Sequence, residues 1–239
     1  MDAKRIIPVL TLLEGRILVP SEAIPDLDPG RPAEWACQLE AEGADGILFR
    51  ETDAPGPARE SRTRWLRDVA GALGIPFTLE APLRRWDELE EVLQVGADRV
   101  ILTVPAPGED PLLTAAAQTF GRSRVGVAVD AALGPDARWR VASADDPQGR
   151  DALAWMSELN QWGAGEIILQ AAPEGPALAE LLQAAARLPL ALVLRTSAGP
   201  EVAAEALLHG ADGLAYPAFS RTPERWKFIL GARGLPLRG

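Results

Sequence analysis

Apolar residues along this chain gather in short runs separated by longer amphipathic stretches. The runs are RIIPVL (5–10), GILF (46–49), PFTLE (76–80), RVILTV (99–104), VGVAVD (125–130), EIILQ (166–170), LALVLR (190–195) and GLAYP (213–217). Runs of this length, bounded by turn formers, read as buried strands. Between them, patterns such as DELEEVLQ (87–94) and PEVAAEALLH (200–209) place apolar residues at helical spacing. Alternation of strand and helix predicts parallel βαβ units. Eight such units in 239 residues fit a closed barrel better than an open sheet. The expected fold is therefore α/β, a (β/α)8 TIM barrel forming one domain over 1–239.

A repeat runs through this pattern. GADGILF (43–49), GADRVIL (96–102), GAGEIIL (163–169) and GADGLAY (210–216) share one design. Each opens on a glycine just past a helix, where a left-handed residue costs least as Gly. Gly43 and Gly163 lie 120 residues apart, and Gly96 and Gly210 lie 114 apart. The spacing suggests two similar half-barrels, about 1–121 and 122–239. The plainer alternative is that GAD is a common way to enter a strand. No linker or low-complexity segment divides the chain. Two connections are long for a barrel: 14–30 after the first strand and 131–149 after the fifth. RWRVASA (138–144), within the second, is a candidate extra hairpin. Loops that follow strands line the ligand-binding face of such barrels.

Composition narrows the partners. Net charge is −10, from 24 basic and 34 acidic residues. An acidic chain repels phosphate backbones and anionic headgroups, so neither nucleic acid nor a membrane surface is expected as partner. Only Lys4 and Lys227 are lysines, a bias that says little about function. Cys37 stands alone, so no internal disulfide can form, and a reducing cytoplasm is the expected compartment. The N-terminus lacks a signal-like apolar region, and no run approaches the ~18 apolar residues of a membrane span. One histidine and one cysteine nearly exclude a His/Cys metal site, and no cofactor is expected.

The opening AKRIIPVL with EGR (14–16), IPFTLE (75–80), DPLLTAAAQTFG (110–121), VAVDA (127–131) and GAGEII (163–168) resemble the cyclase subunit of imidazole glycerol phosphate synthase (HisF) and, more distantly, its isomerase relative. AQTFG before a V-x-V-A-V-D strand is the most specific match. The resemblance extends over almost the whole chain, with small deletions near 171–178 and 196–199. It implies a barrel with phosphate sites at strand ends and two catalytic aspartates, acting as acid and base on opposite sides of the mouth. It also implies ammonia supplied by a glutaminase subunit.

That chemistry is only partly matched. Asp130 stands at the strand-5 aspartate. Ending an apolar strand, it should point into a partly desolvated mouth, which suits proton exchange. The alternative is a loop-anchoring aspartate. Thr11 stands at the strand-1 aspartate and cannot titrate near neutrality. Val19 replaces a loop lysine that grips substrate, and Pro20 and Pro25 should stiffen that loop. Where the family has a Gly-Gly-Gly-Ile turn, this chain has Glu80-Ala81-Pro82-Leu83: Glu80 repels phosphate, and Pro82 lacks an N–H. Arg195-Thr196-Ser197-Ala198-Gly199 replaces a Ser-Gly-Gly-Ala-Gly turn, and Tyr216-Pro217-Ala218 replaces a third contact. Thr103 survives beside Val104, which replaces a threonine. These losses argue against a substrate carrying two phosphates.

Other polar groups are candidates for a different site. Glu51 matches an acidic residue ending strand 2, with Arg50 expected to turn to the other face. Arg195 offers a guanidinium for a carboxylate or phosphate, or else an ion pair with Glu80 or Glu51. Ser197, Thr103 and Glu80 join it as candidate ligand contacts. Trp139 could cover a bound ligand, while Trp35, Trp65, Trp86, Trp155, Trp162 and Trp226 read as packing between barrel and helices. Glu174 matches a further acidic position loosely. His209 ends a helix, where a cation suits the dipole.

On the opposite face, Arg5, Arg99 and Glu166 keep the charges of the family's ammonia gate, Gly46 replaces a glutamate, and Asp98 matches a partner-contacting aspartate. This set fits either a retained glutaminase or salt bridges that plug the barrel floor. Three readings remain: a diverged paralogue without standard cyclase activity that binds or acts on a small anionic metabolite; a degenerate but genuine cyclase subunit with a glutaminase partner; and a non-catalytic binding barrel.

Overall fold

The computed structural model describes residues 3–21, 27–52, 59–103, 111–142, 149–172 and 175–238. Val104, Glu174 and Pro25 lie outside these residues. Eight parallel strands close on themselves: β1 (Arg5–Leu13), β3 (Ile47–Glu51), β4 (Phe77–Ala81), β5 (Arg99–Leu102), β6 (Val125–Leu133), β8 (Glu166–Ala172), β9 (Ala191–Arg195) and β10 (Gly213–Pro217). Closure is made by β10 beside β1, with Arg5 opposite Gly213 and Val9 opposite Pro217. Eight helices alternate with these strands: α1 (Pro32–Ala41), α2 (Arg59–Ala72), α3 (Trp86–Val95), α4 (Pro111–Phe120), α5 (Ala152–Gln161), α6 (Pro176–Ala185), α7 (Pro200–Leu208) and α8 (Pro223–Gly231). The architecture is the expected (β/α)8 barrel, and all eight apolar runs are barrel strands.

Two short strands extend it. β7 (Trp139–Val141) pairs antiparallel with β6, so RWRV does turn back as a hairpin. β2 (Arg16–Ile17) folds back on β1 through Glu14 and Gly15, both at positive φ (51° and 73°). A two-residue turn with both φ positive matches the twist of a hairpin. The hydrophobic pattern alone reads this whole segment as loop.

Side chains alternate across each strand. One set, Val9, Leu48, Ile101, Ile168, Val193 and Ala215 with Ile7 and Ala128, fills the barrel interior. The other set, including Leu10, Phe49, Leu79, Val127, Leu169 and Leu194, packs outward under the helices.

The repeat has one physical cause. Gly43, Gly96, Gly163 and Gly210 all have positive φ, 90° to 132°. Each is a helix exit that an L side chain would strain. The aspartate that follows then staples the loop to a neighbouring strand. Asp45 accepts from the N–H of Ile6, Asp98 from Phe77 and Asp212 from Leu192, at 2.7–2.9 Å. Each returns its own N–H to the carbonyl of the same residue. The third copy has Gly165 instead, because a Cβ there would lie 2.1 Å from the Arg122 carbonyl oxygen.

Candidate functional site

The interior set continues to both ends of the barrel. At the C-terminal ends of the strands the same parity presents Thr11, Arg50, Glu80, Asp130, Gln170 and Arg195. Thr11 sits beside Arg50 in register, Arg50 beside Glu80, and Asp130 beside Gln170. Arg195 reaches across from β9 to β4, on the far side of the barrel. Its Nη1 donates to both Glu80 oxygens at 2.7 and 2.6 Å, its Nε to Gln170 Oε1 at 2.9 Å, and its Nη2 to Asp130 Oδ1 at 3.3 Å. Arg50 Nε adds a bond to Glu80 Oε1 at 3.1 Å. Glu80 and Arg195 are buried, so their mutual neutralisation is what allows two charges there.

The ion pair expected between Arg195 and Glu80 is thus formed. The Glu51 expectation is reversed. Leu48 faces inward, so Arg50 does too, and Glu51 turns outward with Ile47 and Phe49. There it is buried against Arg62 of α2, whose Nε and Nη2 lie 2.7 and 2.6 Å from its carboxylate. Glu51 fastens α2 to the wall and does not line the mouth.

Asp130 does point into the mouth, but its side chain is 53% exposed. Trp139 is buried, and its indole N–H donates to the Ala177 carbonyl at 3.0 Å. It packs the β6–β7 hairpin against α6 and does not lie over the mouth. Thr103 is exposed, and its carbonyl accepts from Arg84 Nη1 at 2.7 Å. Val19 is half-buried against the core.

A cavity of about 330 Å3 opens above the Glu80–Arg195 bridge, lined by Thr11, Arg50, Gln170, Arg195, Ser197 and Pro217 among others. Around it the turns that resemblance assigns to phosphate have spent backbone donors. Leu83 N–H donates to the Ala81 carbonyl, Thr196 N–H to Ala215, Ala198 N–H to the Thr196 hydroxyl and Ala218 N–H to Val9. The Ser220 N–H and hydroxyl both go to the Pro217 carbonyl.

At the floor, Arg5 Nη2 and Arg99 Nη1 share Glu166, at 2.6 and 3.0 Å, beside a cavity of about 380 Å3. Asp98 is one of the loop staples described above. A larger groove, about 490 Å3, lies on the outer wall between α6 and α7. Its rim acids Glu201 and Glu205 pair with Arg233 and His209, and no strand-end group converges on it. The mouth is therefore the candidate site.

Arg50 and Gln170 are site residues that the sequence reading does not single out. Counting in twos from Leu48 and Ile168 finds both. No group of three or more His, Cys, Asp and Glu that could hold a metal occurs among the described residues. No helix among them is long and apolar enough to cross a membrane.

Comparison with known proteins agrees with the barrel. A family described as "Histidine biosynthesis protein" matches residues 5–174. The imidazole glycerol phosphate synthase subunit HisF of Sulfolobus acidocaldarius is 32% identical over 170 residues, 71% of this chain and 68% of that protein. The same subunit of Streptococcus mutans serotype c is 35% identical over 171 residues, with the same shares covered. The chain belongs to the histidine biosynthesis protein family.

Proposed function

We propose that this barrel keeps the family scaffold without standard imidazole glycerol phosphate synthase cyclase chemistry, and that its mouth binds or acts on a small anionic metabolite. The observation that carries the reading is the bridge from Arg195 to Glu80 across the barrel. It occupies strand ends where the resemblance implies glycine turns for phosphate. A buried carboxylate beneath the cavity opposes a substrate with two phosphates. Thr11 removes one of the two implied acid–base groups, leaving Asp130. The test is turnover of the cyclase's ribonucleotide substrate with ammonia. No turnover is expected, and rates like those of an ordinary family cyclase would overturn the reading.

A second reading, a degenerate cyclase subunit fed by a glutaminase, draws on the floor, where Arg5, Arg99 and Glu166 border an open cavity. It requires that the gene restore growth without histidine to a cyclase-deficient strain.

A further inference from the structure

The two guanidiniums at the mouth are in opposite states. All three nitrogens of Arg195 are engaged, and its side chain is 8% exposed. Among the described residues Arg50 uses only Nε, toward Glu80, and it is 40% exposed on the cavity. Its Nη1 and Nη2 have no partner among the described residues. Resting on the reading of the mouth as an anion site, we propose that Arg50 is the primary ligand contact and that it selects a single carboxylate over a phosphate group.

Three observations support this. The first is geometric. Arg50 Nε is held by Glu80, its side chain is 40% exposed and it lines the cavity, so the Nη1–Nη2 edge is the part of the guanidinium left to meet a ligand. Two parallel N–H groups on that edge match the two oxygens of a carboxylate. The second is charge. Among the described inward-facing strand-end groups, Arg50 and Arg195 balance Glu80 and Asp130, so that layer carries no net charge to offset an incoming anion. One carboxylate adds one negative charge. A phosphate monoester adds about 1.5 to 2 near neutrality, within reach of the buried Glu80. The third is the supply of donors. A phosphate needs several N–H groups around three oxygens, and those of Leu83, Thr196, Ala198, Ala218 and Ser220 are already spent inside the turns.

The neighbouring groups define the rest of the ligand. Thr11 lies beside Arg50 in register, and Ser197 lines the same cavity. Neither hydroxyl has a side-chain partner among the described residues. They suit hydroxyl or carbonyl oxygens next to the carboxylate. At about 330 Å3 the cavity is at the small end of ligand pockets. The ligand class is a short hydroxy- or oxo-carboxylic acid.

The experiment is calorimetric titration of the full chain, at constant ionic strength, with lactate, pyruvate, glycerate, inorganic phosphate and glycerol 3-phosphate. At least one carboxylate is expected to bind at least about tenfold more tightly than either phosphate. Arg50→Gln and Arg50→Lys should each weaken that carboxylate about tenfold or more, since lysine keeps charge but loses the fork. Thr11→Val, which leaves every charge in place, should weaken it several-fold. Thermal unfolding of each variant separates a binding loss from misfolding. Phosphate binding as tight as any carboxylate, or carboxylate binding unchanged in Arg50→Gln, overturns the inference and leaves the anion-site reading standing. A wild-type chain that binds none of the five overturns both.

Discussion

The barrel carries an ion cluster at each end, built from the same inward-facing positions and separated by the apolar layer of Val9, Leu48, Ile101, Ile168, Val193 and Ala215. At the floor, two guanidiniums share Glu166, which is 3% exposed. Both arginines there spend donors on one acid, which is the arrangement of a plug. At the mouth, Glu80 and Arg195 are saturated in the same way, yet Arg50 and Asp130 keep open edges toward solvent. The difference shows where a ligand can compete. A buried charge that has lost its water must keep its partner, whereas a half-exposed one can exchange partners.

Breaking the buried pair at the mouth should have the largest effect. Arg195→Met leaves Glu80 buried with only Arg50, and denaturant unfolding should show a loss of about 3 kcal/mol. The double variant Glu80→Leu with Arg195→Met should recover most of it. At the floor, Glu166→Gln sets two arginines against a neutral amide, and we expect about 2 kcal/mol in the same assay. A floor substitution more costly than the mouth substitution would invert the comparison. Asp98→Ala should cost about 1 kcal/mol, the value of one loop staple, and Asp212→Ala should cost the same. If Asp98→Ala leaves stability untouched but abolishes binding of a glutaminase, the floor is a docking face and not a plug.

Tyr216 provides a reference in the wall, outside both clusters. Its hydroxyl is buried without a partner among the described residues, and burial pushes the phenol above its ordinary value of 10.0. A raised value in the folded state means that stability is intact below pH 10 and falls as pH rises beyond it. Tyr216→Phe should remove that alkaline slope and be neutral or stabilising by up to about 1 kcal/mol. Tyr216 is the chain's only tyrosine, so tyrosinate absorbance reads it directly. The smallest effect belongs to Asp130→Asn. Its side chain is exposed and, among the described residues, holds a single 3.3 Å contact, so stability should change by less than about 0.5 kcal/mol. A larger loss would mean that Asp130 depends on its partner as heavily as Glu80 does.

Much of the fold is legible in the sequence because its signals are local. An apolar run such as VGVAVD must be buried on both faces, and a helix must end where Gly96 or Gly210 turns left-handed. The β1–β2 hairpin escapes that reading because Glu14-Gly15 lacks the Asn-Gly or Asp-Gly form that marks such turns most strongly. The site is less legible. Resemblance puts Glu51 in the mouth and Arg50 outside it, although one side chain known to face inward, Leu48, fixes both the other way by alternation. Resemblance also gives Asp98 a partner contact, while its bond to the Phe77 N–H gives it the same role as Asp45 and Asp212.

The sequence by itself determined that eight strands alternate with helices and that Thr11 carries no group that titrates near neutrality, conclusions that need only residue chemistry and spacing; that Glu80 and Arg195 stand in place of glycine turns is what the resemblance implies. Tertiary structure alone decided which charges meet and which stay open. Glu80 and Arg195 are 115 residues apart and sit on opposite walls, so only closure of the barrel brings them to 2.6 Å. That closure engages all three nitrogens of Arg195, while Arg50 stays 40% exposed on the cavity.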